Sequence, residues 1–237
     1  VYQVQYPDFN PQVFIHALQL LTEKHPILRT SFHLVNYEEP VQFVHKSVCI
    51  DMEHQDISRM SPVRQEDFLK NFLIADRKKG FVVTAAPLWR IRTFQLDPEQ
   101  IGILLVTHHA ILDGWSVAAF STELNNTYRR LKKETHVTLD KLHGTYKDFI
   151  VEQMSEMRTN PVRDYWKNEL DGYKRMDFIK KHRGDTFTAA RMYSFEPGQN
   201  LPGDLENCAR LYGSTLKYLC LAAYLYMLNM FSYENDI

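Results

Sequence analysis

The sequence predicts an α/β layered domain, a sheet covered by helices, on three observations. Apolar residues recur with a period of two in some segments and near 3.6 in others, and the two kinds alternate along the chain. One strand-length run, Ile101-Gly102-Ile103-Leu104-Leu105-Val106, does not alternate at all, which is the pattern of a strand covered on both faces. The chain has 237 residues. At that length a fold buries roughly 70% of the unfolded surface and needs neither metal nor disulfide.

Each element has its own signal. Tyr2, Val4 and Tyr6 share one face of an opening strand. Asn10 caps a helix with Pro11 at its first position, where a ring lacking an N–H is tolerated. Phe14, Ala17, Leu18 and Leu21 form its apolar stripe, and it ends near Pro26. From Leu28 the period falls to two, with Thr30, Phe32 and Leu34 opposing Arg29, Ser31 and His33. A turn at Glu38-Glu39-Pro40 leads into a strand at Val41 to Val44, and Val48, Ile50 and Met52 mark another half-buried strand. Ser61-Pro62 repeats the cap-and-proline opening for a helix running to about Lys79, with Gly80 as its stop.

Strands follow at Leu88 to Leu96 and Ile101 to Thr107, joined by an Asp97-Pro98 turn. A helix from about Ser116 to Lys132 places Val117, Phe120, Leu124, Tyr128 and Leu131 in one stripe. Further helices fit Thr145 to Met157 and, after Asn160-Pro161, the residues up to Leu170. The basic, nonperiodic stretch Gly172 to Gly184 is the expected interdomain connection. A strand at Thr186 to Phe195 and helices at about 203–212 and 214–231 complete the chain. The last apolar stretch, Leu216 to Phe231, carries Lys217 and Asn229 and falls short of the ~20 apolar residues of a membrane span. It reads as a buried helix.

Composition narrows the function. With 28 Lys+Arg against 29 Asp+Glu the net charge is −1, which argues against a binder of nucleic-acid phosphates. Three widely spaced cysteines, Cys49, Cys208 and Cys220, form no CxxC pair, so neither a disulfide framework nor a structural zinc site is expected. Val1 to Tyr6 alternates and lacks a basic n-region, so no signal peptide is expected, and the compartment reads as the cytoplasm.

One cluster carries chemistry: Thr107-His108-His109-Ala110-Ile111-Leu112-Asp113-Gly114-Trp115-Ser116, between the end of a buried strand and the start of an amphipathic helix. In α/β sheets that junction is where ligands sit. Adjacent histidines on an extended segment point to opposite sides, so one of the two faces a given cleft. Gly114 permits a sharp reversal or a close backbone approach. Taken singly, each residue also has a plain reading. A histidine at a strand end is commonly structural, Asp113 serves as a helix cap or an ion-pair partner, Trp115 packs in the core, and Ser116 caps the helix. His-His-x3-Asp supplies at most three ligands at a spacing that matches no zinc pattern, and no metal is expected.

His108-His109-x3-Asp113-Gly114-Trp115-Ser116 resembles the HHxxxDGWS signature of condensation domains from nonribosomal peptide synthetases. Other landmarks of that family recur in order. Lys24-His25-Pro26-Ile27-Leu28-Arg29-Thr30-Ser31-Phe32 resembles RHxxLRTxF, Pro87-Leu88-Trp89-Arg90 resembles the PLLR strand, Tyr146-Lys147-Asp148-Phe149 resembles YxDFA, and Tyr165-Trp166 fits the YW pair.

The resemblance implies a chloramphenicol-acetyltransferase-like mixed sheet flanked by helices, the first half of a V-shaped, two-lobed domain with a tunnel between its lobes. Residues 1–175 would be the N-terminal acyltransferase-like lobe, and 176–237 the connection and the beginning of a C-terminal lobe. The implied reaction is attack of an acceptor aminoacyl amine on a donor thioester, forming an amide in secondary metabolism such as antibiotic biosynthesis. Both substrates ride on phosphopantetheine arms of peptidyl or acyl carrier proteins, no cofactor is bound directly, and an adenylation domain is the expected neighbour. By the resemblance His109 is the catalytic histidine, His108 points away and packs, and Asp113 is structural with Arg29 as its partner. A buried Asp113 would need such a cation, and replacing it would then damage folding as much as chemistry. The N–H of Gly114, near a helix N-terminus, would steady the developing oxyanion.

Condensation domains are close to twice as long as this chain, so the later motifs of the second lobe lie outside it, and the piece alone is expected to lack half of its tunnel wall. Three rival readings remain open. A coenzyme A-dependent acyltransferase resembling chloramphenicol acetyltransferase carries its motif near the C-terminus, whereas more than half of this chain follows Gly114. Epimerisation domains of the superfamily carry an aromatic directly after the motif serine, where Val117 stands here. A noncatalytic carrier-protein-binding scaffold would have no use for an intact His109.

Overall fold

The computed structural model describes residues 2–35, 37–134, 136–157, 159–173, 196, 198 and 200–232. Packing divides the chain into two units, Val1–Glu156 and Met157–Ile237. The expected strand at Thr186 to Phe195, and most of the expected connection at Gly172 to Gly184, lie outside the described residues.

The first unit is built on a four-stranded mixed sheet. Its strands are β1 (Tyr2–Gln5), β4 (Met52–Asp56), β5 (Trp89–Gln95) and β6 (Gln100–Thr107), in the order β1-β6-β5-β4. β4 runs parallel to β5, and the other two pairings are antiparallel. Parallel neighbours need a crossover, which α2 (Pro62–Arg77) supplies. Strands β2 (Thr30–His33) and β3 (Val41–Val44) form a separate antiparallel ribbon. Helices α1 (Pro11–Lys24), α3 (Gly114–Leu131) and α4 (Tyr146–Met157) complete the unit's elements, α4 ending one residue past its boundary.

The nonalternating run of β6 has both faces covered. Ile101 and Ile103, with Trp89 and Ile91 of β5, pack against Phe14, Leu18 and Leu21 of α1 and Phe120, Leu124 and Tyr128 of α3. On the opposite face Leu104, Phe94 and Leu96 meet Phe68, Leu69, Phe72 and Leu73 of α2. Side chains alternate across a strand, so the even positions of β5 that face α2 also include Arg90 and Arg92. Both are buried.

Arg90 meets the cost of that burial through Asp76 of α2. Its Nε lies 3.0 and 3.1 Å from the two carboxylate oxygens and its Nη2 lies 2.7 Å from Oδ2. Further N–H groups reach the carbonyls of Asp76 and Gly80 at 3.0 Å each. Burial alone would raise the Asp76 pKa, but the hydrogen bonds and charge of Arg90 outweigh it and hold the carboxyl below its ordinary value.

Two elements depart from the sequence reading. Between α1 and β2 the residues Pro26–Arg29 wind into a 3-10 turn, so strand period two begins at Thr30. The strand expected around Val48 to Met52 starts at Met52, because its ladder with Ile91–Gln95 sets the register; Ile50 still packs on the core from outside the ladder.

The second unit contains α5 (Asn160–Glu169), α6 (Leu201–Leu211) and α7 (Leu216–Ser232). α6 packs on α7 across a turn at Gly213, whose φ of +62° suits glycine. The expectation that the apolar C-terminal helix is buried does not hold: no residue of α7 is buried among the described residues. A helix apolar all round needs cover on several sides. Among the described elements α6 is the one substantially packed on it.

Candidate active site

The motif turn grows from the end of β6. His108 N–H donates to the Leu88 carbonyl at 2.8 Å, and the chain then leaves the sheet. Ile111 N–H closes a turn on the His108 carbonyl at 3.1 Å, and buried Ile111 and Leu112 pin that turn into the core. His108 is half-buried, its Nδ1 accepts the Ala110 N–H at 3.2 Å, and its ring stands edge-on to Phe81 at 6.3 Å. Phe81 in turn packs under the Arg90 guanidinium, 4.5 Å from its ring centre. His109 is exposed and lines a cavity of ≈ 480 Å³.

That cavity has three walls. One is the motif turn, with His109, Ile111, Leu112 and Asp113; another is the 3-10 turn with His25, Ile27 and Leu28. The third is one face of α3, carrying Ser116, Ala119, Phe120 and Glu123, and Leu142, Thr145 and Tyr146 complete the lining. Sequence reasoning missed Glu123 and His25 as site residues. Glu123 lies within α3 and His25 in the extended link between α1 and the 3-10 turn, far apart in the sequence, and only the fold brings them together. Glu123 accepts from Lys24 Nζ at 2.7 Å and lies 2.7 Å from His25 Nε2. Burial pushes its pKa up, yet the hydrogen bonds from Lys24 and His25 prevail and leave it below the ordinary glutamate value.

Asp113 has an environment different from the expected one. It is exposed and caps α3, with Oδ1 accepting the Ser116 N–H at 2.7 Å. Hydrogen bonds from Ser116 lower its pKa, and nearby His109 adds a smaller contribution in the same direction. The expected Arg29–Asp113 ion pair does not form. Arg29 spends its guanidinium on carbonyls: Nε on Thr22 at 2.8 Å, Nη2 on Glu23 at 3.3 Å, and Nη1 on Lys46 at 3.3 Å and on His45. Thr22 and Glu23 lie in the last turn of α1, whose carbonyls have no intrahelical partner and a negative partial charge. Arg29 therefore ties α1 to the exit of β3.

Gly114 opens α3 and is not among the cavity-lining residues. It does not adopt a left-handed backbone, and a Cβ added there meets nothing within 4 Å. Trp115, expected in the core, is 87% exposed in the first turn of α3. Ser116 does not cap the helix; it is the residue that Asp113 caps. Among the described residues no group of three or more His, Cys, Asp or Glu is placed to hold a metal ion. No helix among them is long and apolar enough to cross a membrane.

A mixed sheet flanked by helices, with a histidine turn leading from a central strand into a capped helix, defines a chloramphenicol-acetyltransferase-like α/β fold. The SgcC5 protein from Streptomyces globisporus superposes with a TM-score of 0.78 at 17% identity, over 99% of this chain and 54% of that one. The condensation domain that mediates chain release from the enacyloxin polyketide synthase gives 0.71 at 18% identity, over 98% of this chain and 46% of that one. The family model for the condensation domain matches residues 4–237, and the chain belongs to that family. Among curated proteins, tyrocidine synthase 3 of Brevibacillus parabrevis is 32% identical over 243 residues, 97% of this chain. Gramicidin S synthase 2 of Aneurinibacillus migulanus is 30% identical over 239 residues, 95% of this chain. The chain spans only 3% and 5% of those two synthases, and about half the length of the solved domains.

Proposed function

We propose that this chain is the catalytic-motif half of a peptide-bond-forming condensation domain of a nonribosomal peptide synthetase. The observation that carries the reading is His109, presented by the HHxxxDG turn at the mouth of a cavity lined largely by apolar side chains. The substrates are a donor acyl or peptidyl thioester and an acceptor aminoacyl thioester, each held on the phosphopantetheine arm of a carrier protein. An adenylation domain and the rest of the second lobe are the partners in the same assembly. Residues 1–175 act as the acyltransferase-like lobe, and residues 176–237 open the second.

The chemistry asked of the protein is modest. An α-amino group titrates near ~8, so part of it is neutral at physiological pH, and a thioester is an activated acyl donor. The amine nitrogen attacks the thioester carbonyl, the C–N bond forms, and the C–S bond breaks to release the donor arm's sulfur. His109 hydrogen-bonds the attacking amine, takes its proton as the tetrahedral intermediate forms and passes it to the departing thiolate. Such a step is typically worth ~10²–10⁴-fold. Gly114 offers an N–H at the positive end of α3, next to the lining residue Asp113, for the developing oxyanion. His108, held against Phe81, keeps the turn's orientation, and Arg29 fixes the neighbouring wall through the end of α1.

The test incubates the full-length polypeptide with two carrier proteins, one loaded with a donor and the other with an acceptor, and reads the products by mass spectrometry. A dipeptidyl thioester on the acceptor carrier is expected. Acetyl transfer from coenzyme A, inversion of the donor's α-carbon, or carrier binding without any product would each overturn the reading in favour of a specific rival.

A further inference from the structure

The cavity runs along α3. Asp113 and Glu123 both line it. They stand ten positions apart, which is about 15 Å of helix at a rise of ~1.5 Å per residue. His109 stands at one end and the Lys24–Glu123–His25 triad at the other. Between them the walls carry Leu28, Phe120 and Leu142. A group lying in this groove with its reacting carbon near His109 points an apolar body toward Glu123.

We propose that Glu123 is a positioning residue that decides which aminoacyl side chains the groove accepts, an inference that rests on the function given above. Glu123 belongs to α3, and both of its partners belong to the opposite wall: Lys24 is the last residue of α1 and His25 leads into the 3-10 turn. Each carboxylate oxygen takes one partner at 2.7 Å, so the carboxylate ties the two walls together at this end of the groove. The 3-10 turn has a second anchor, the Trp89 indole N–H on the Leu28 carbonyl at 2.9 Å, but that bond runs to β5. Loss of Glu123 therefore removes the polar tie between the turn and α3, while the Trp89 bond and the apolar packing of α1 on α3 hold the fold. The groove widens without unfolding, and its fit to a side chain of defined size is lost.

The experiment titrates the purified 237-residue chain with N-acetylcysteamine thioesters of alanine, leucine and phenylalanine, following the His109 ring by NMR, with thermal melts of every variant. The wild-type chain binds the leucyl thioester at least ~10-fold tighter than the alanyl one, as a fitted apolar pocket does. In Glu123→Ala the ratio falls to within about two-fold. Glu123→Gln, whose carboxamide oxygen still accepts one of the two hydrogen bonds, lies between and carries the test if the alanine variant fails to fold. A leucyl-to-alanyl ratio that survives in a folded Glu123→Ala, or that is absent from the wild-type chain, overturns the role of Glu123 alone. Failure of the wild-type chain to bind any thioester overturns the role of Glu123 in this groove, while the proposed function stands or falls by the two-carrier assay.

Discussion

Replacing Asp76 by asparagine removes one charge from a pair that the core of the first unit encloses almost completely. The Arg90 and Asp76 side chains are 6% and 3% exposed. Asparagine nearly matches aspartate in volume, so no cavity term enters, and the loss is electrostatic. Removing one partner of a buried pair typically costs about 3–5 kcal/mol, because the surviving charge keeps its desolvation penalty. For a unit of about 150–250 residues ~1 kcal/mol moves Tm by ~2–4 °C, so Asp76→Asn lowers Tm by about 6–20 °C. The double variant Asp76→Leu with Arg90→Met replaces charge by apolar bulk and recovers most of that loss. Acid titration gives a second signature. The folded-state pKa of Asp76 lies below its unfolded value near ~3.9, so the pair's stabilisation is complete above that value. It is lost as pH falls through the lower, folded-state value, and the asparagine variant lacks that acid dependence. Urea melts across pH measure both effects. A loss under about 1 kcal/mol, or a double variant no more stable than the single one, would refute the view of this pair as a closed, mutually dependent unit.

Substitutions at three positions test the site. His109→Ala lowers dipeptide formation by ~10²–10⁴-fold with an unchanged thermal melt, since the ring is exposed; near-native turnover would remove His109 from the chemistry. Asp113→Asn keeps a good N-cap and folds normally, whereas Asp113→Ala frays the first turn of α3, which hydrogen exchange at the Ser116 and Val117 amides detects. Equal loss of folded protein in both would restore the buried-ion-pair reading of this residue. Gly114→Ala melts no lower than wild type, because an added Cβ meets nothing within 4 Å, and any loss of turnover then reports what approaches from the substrate side. A lower melting temperature would contradict the open space at that position.

Much of the fold is legible in the residues because local signals and burial agree. Asn10 before Pro11 accepts the N–H groups of Gln12 and Val13, and the unbroken apolar run at Ile101 to Val106 is covered from both sides. The site is legible as a motif and less so as a set of contacts. Chemical type pairs Arg29 with Asp113, but the guanidinium finds the loose carbonyls at the end of α1 instead, a competition that spacing does not record. Trp115 shows the opposite failure: apolar character predicts burial, while its place in the first turn of α3 leaves it in solvent. One missed feature did have a signal. Two arginines inside the apolar strand Leu88 to Leu96 demand acidic partners, and the preceding helix carries one in Asp76.

The indole of Trp89 lies at the junction of two cavity walls. Its N–H holds the Leu28 carbonyl, and its ring faces Phe120 of α3 at 6.5 Å. Any event that parts the 3-10 turn from α3 lets water reach this otherwise dry chromophore and shifts its emission to longer wavelength. The molecule thus contains an internal optical gauge of cavity width, readable without a label once the exposed Trp115 and Trp166 are exchanged for phenylalanine.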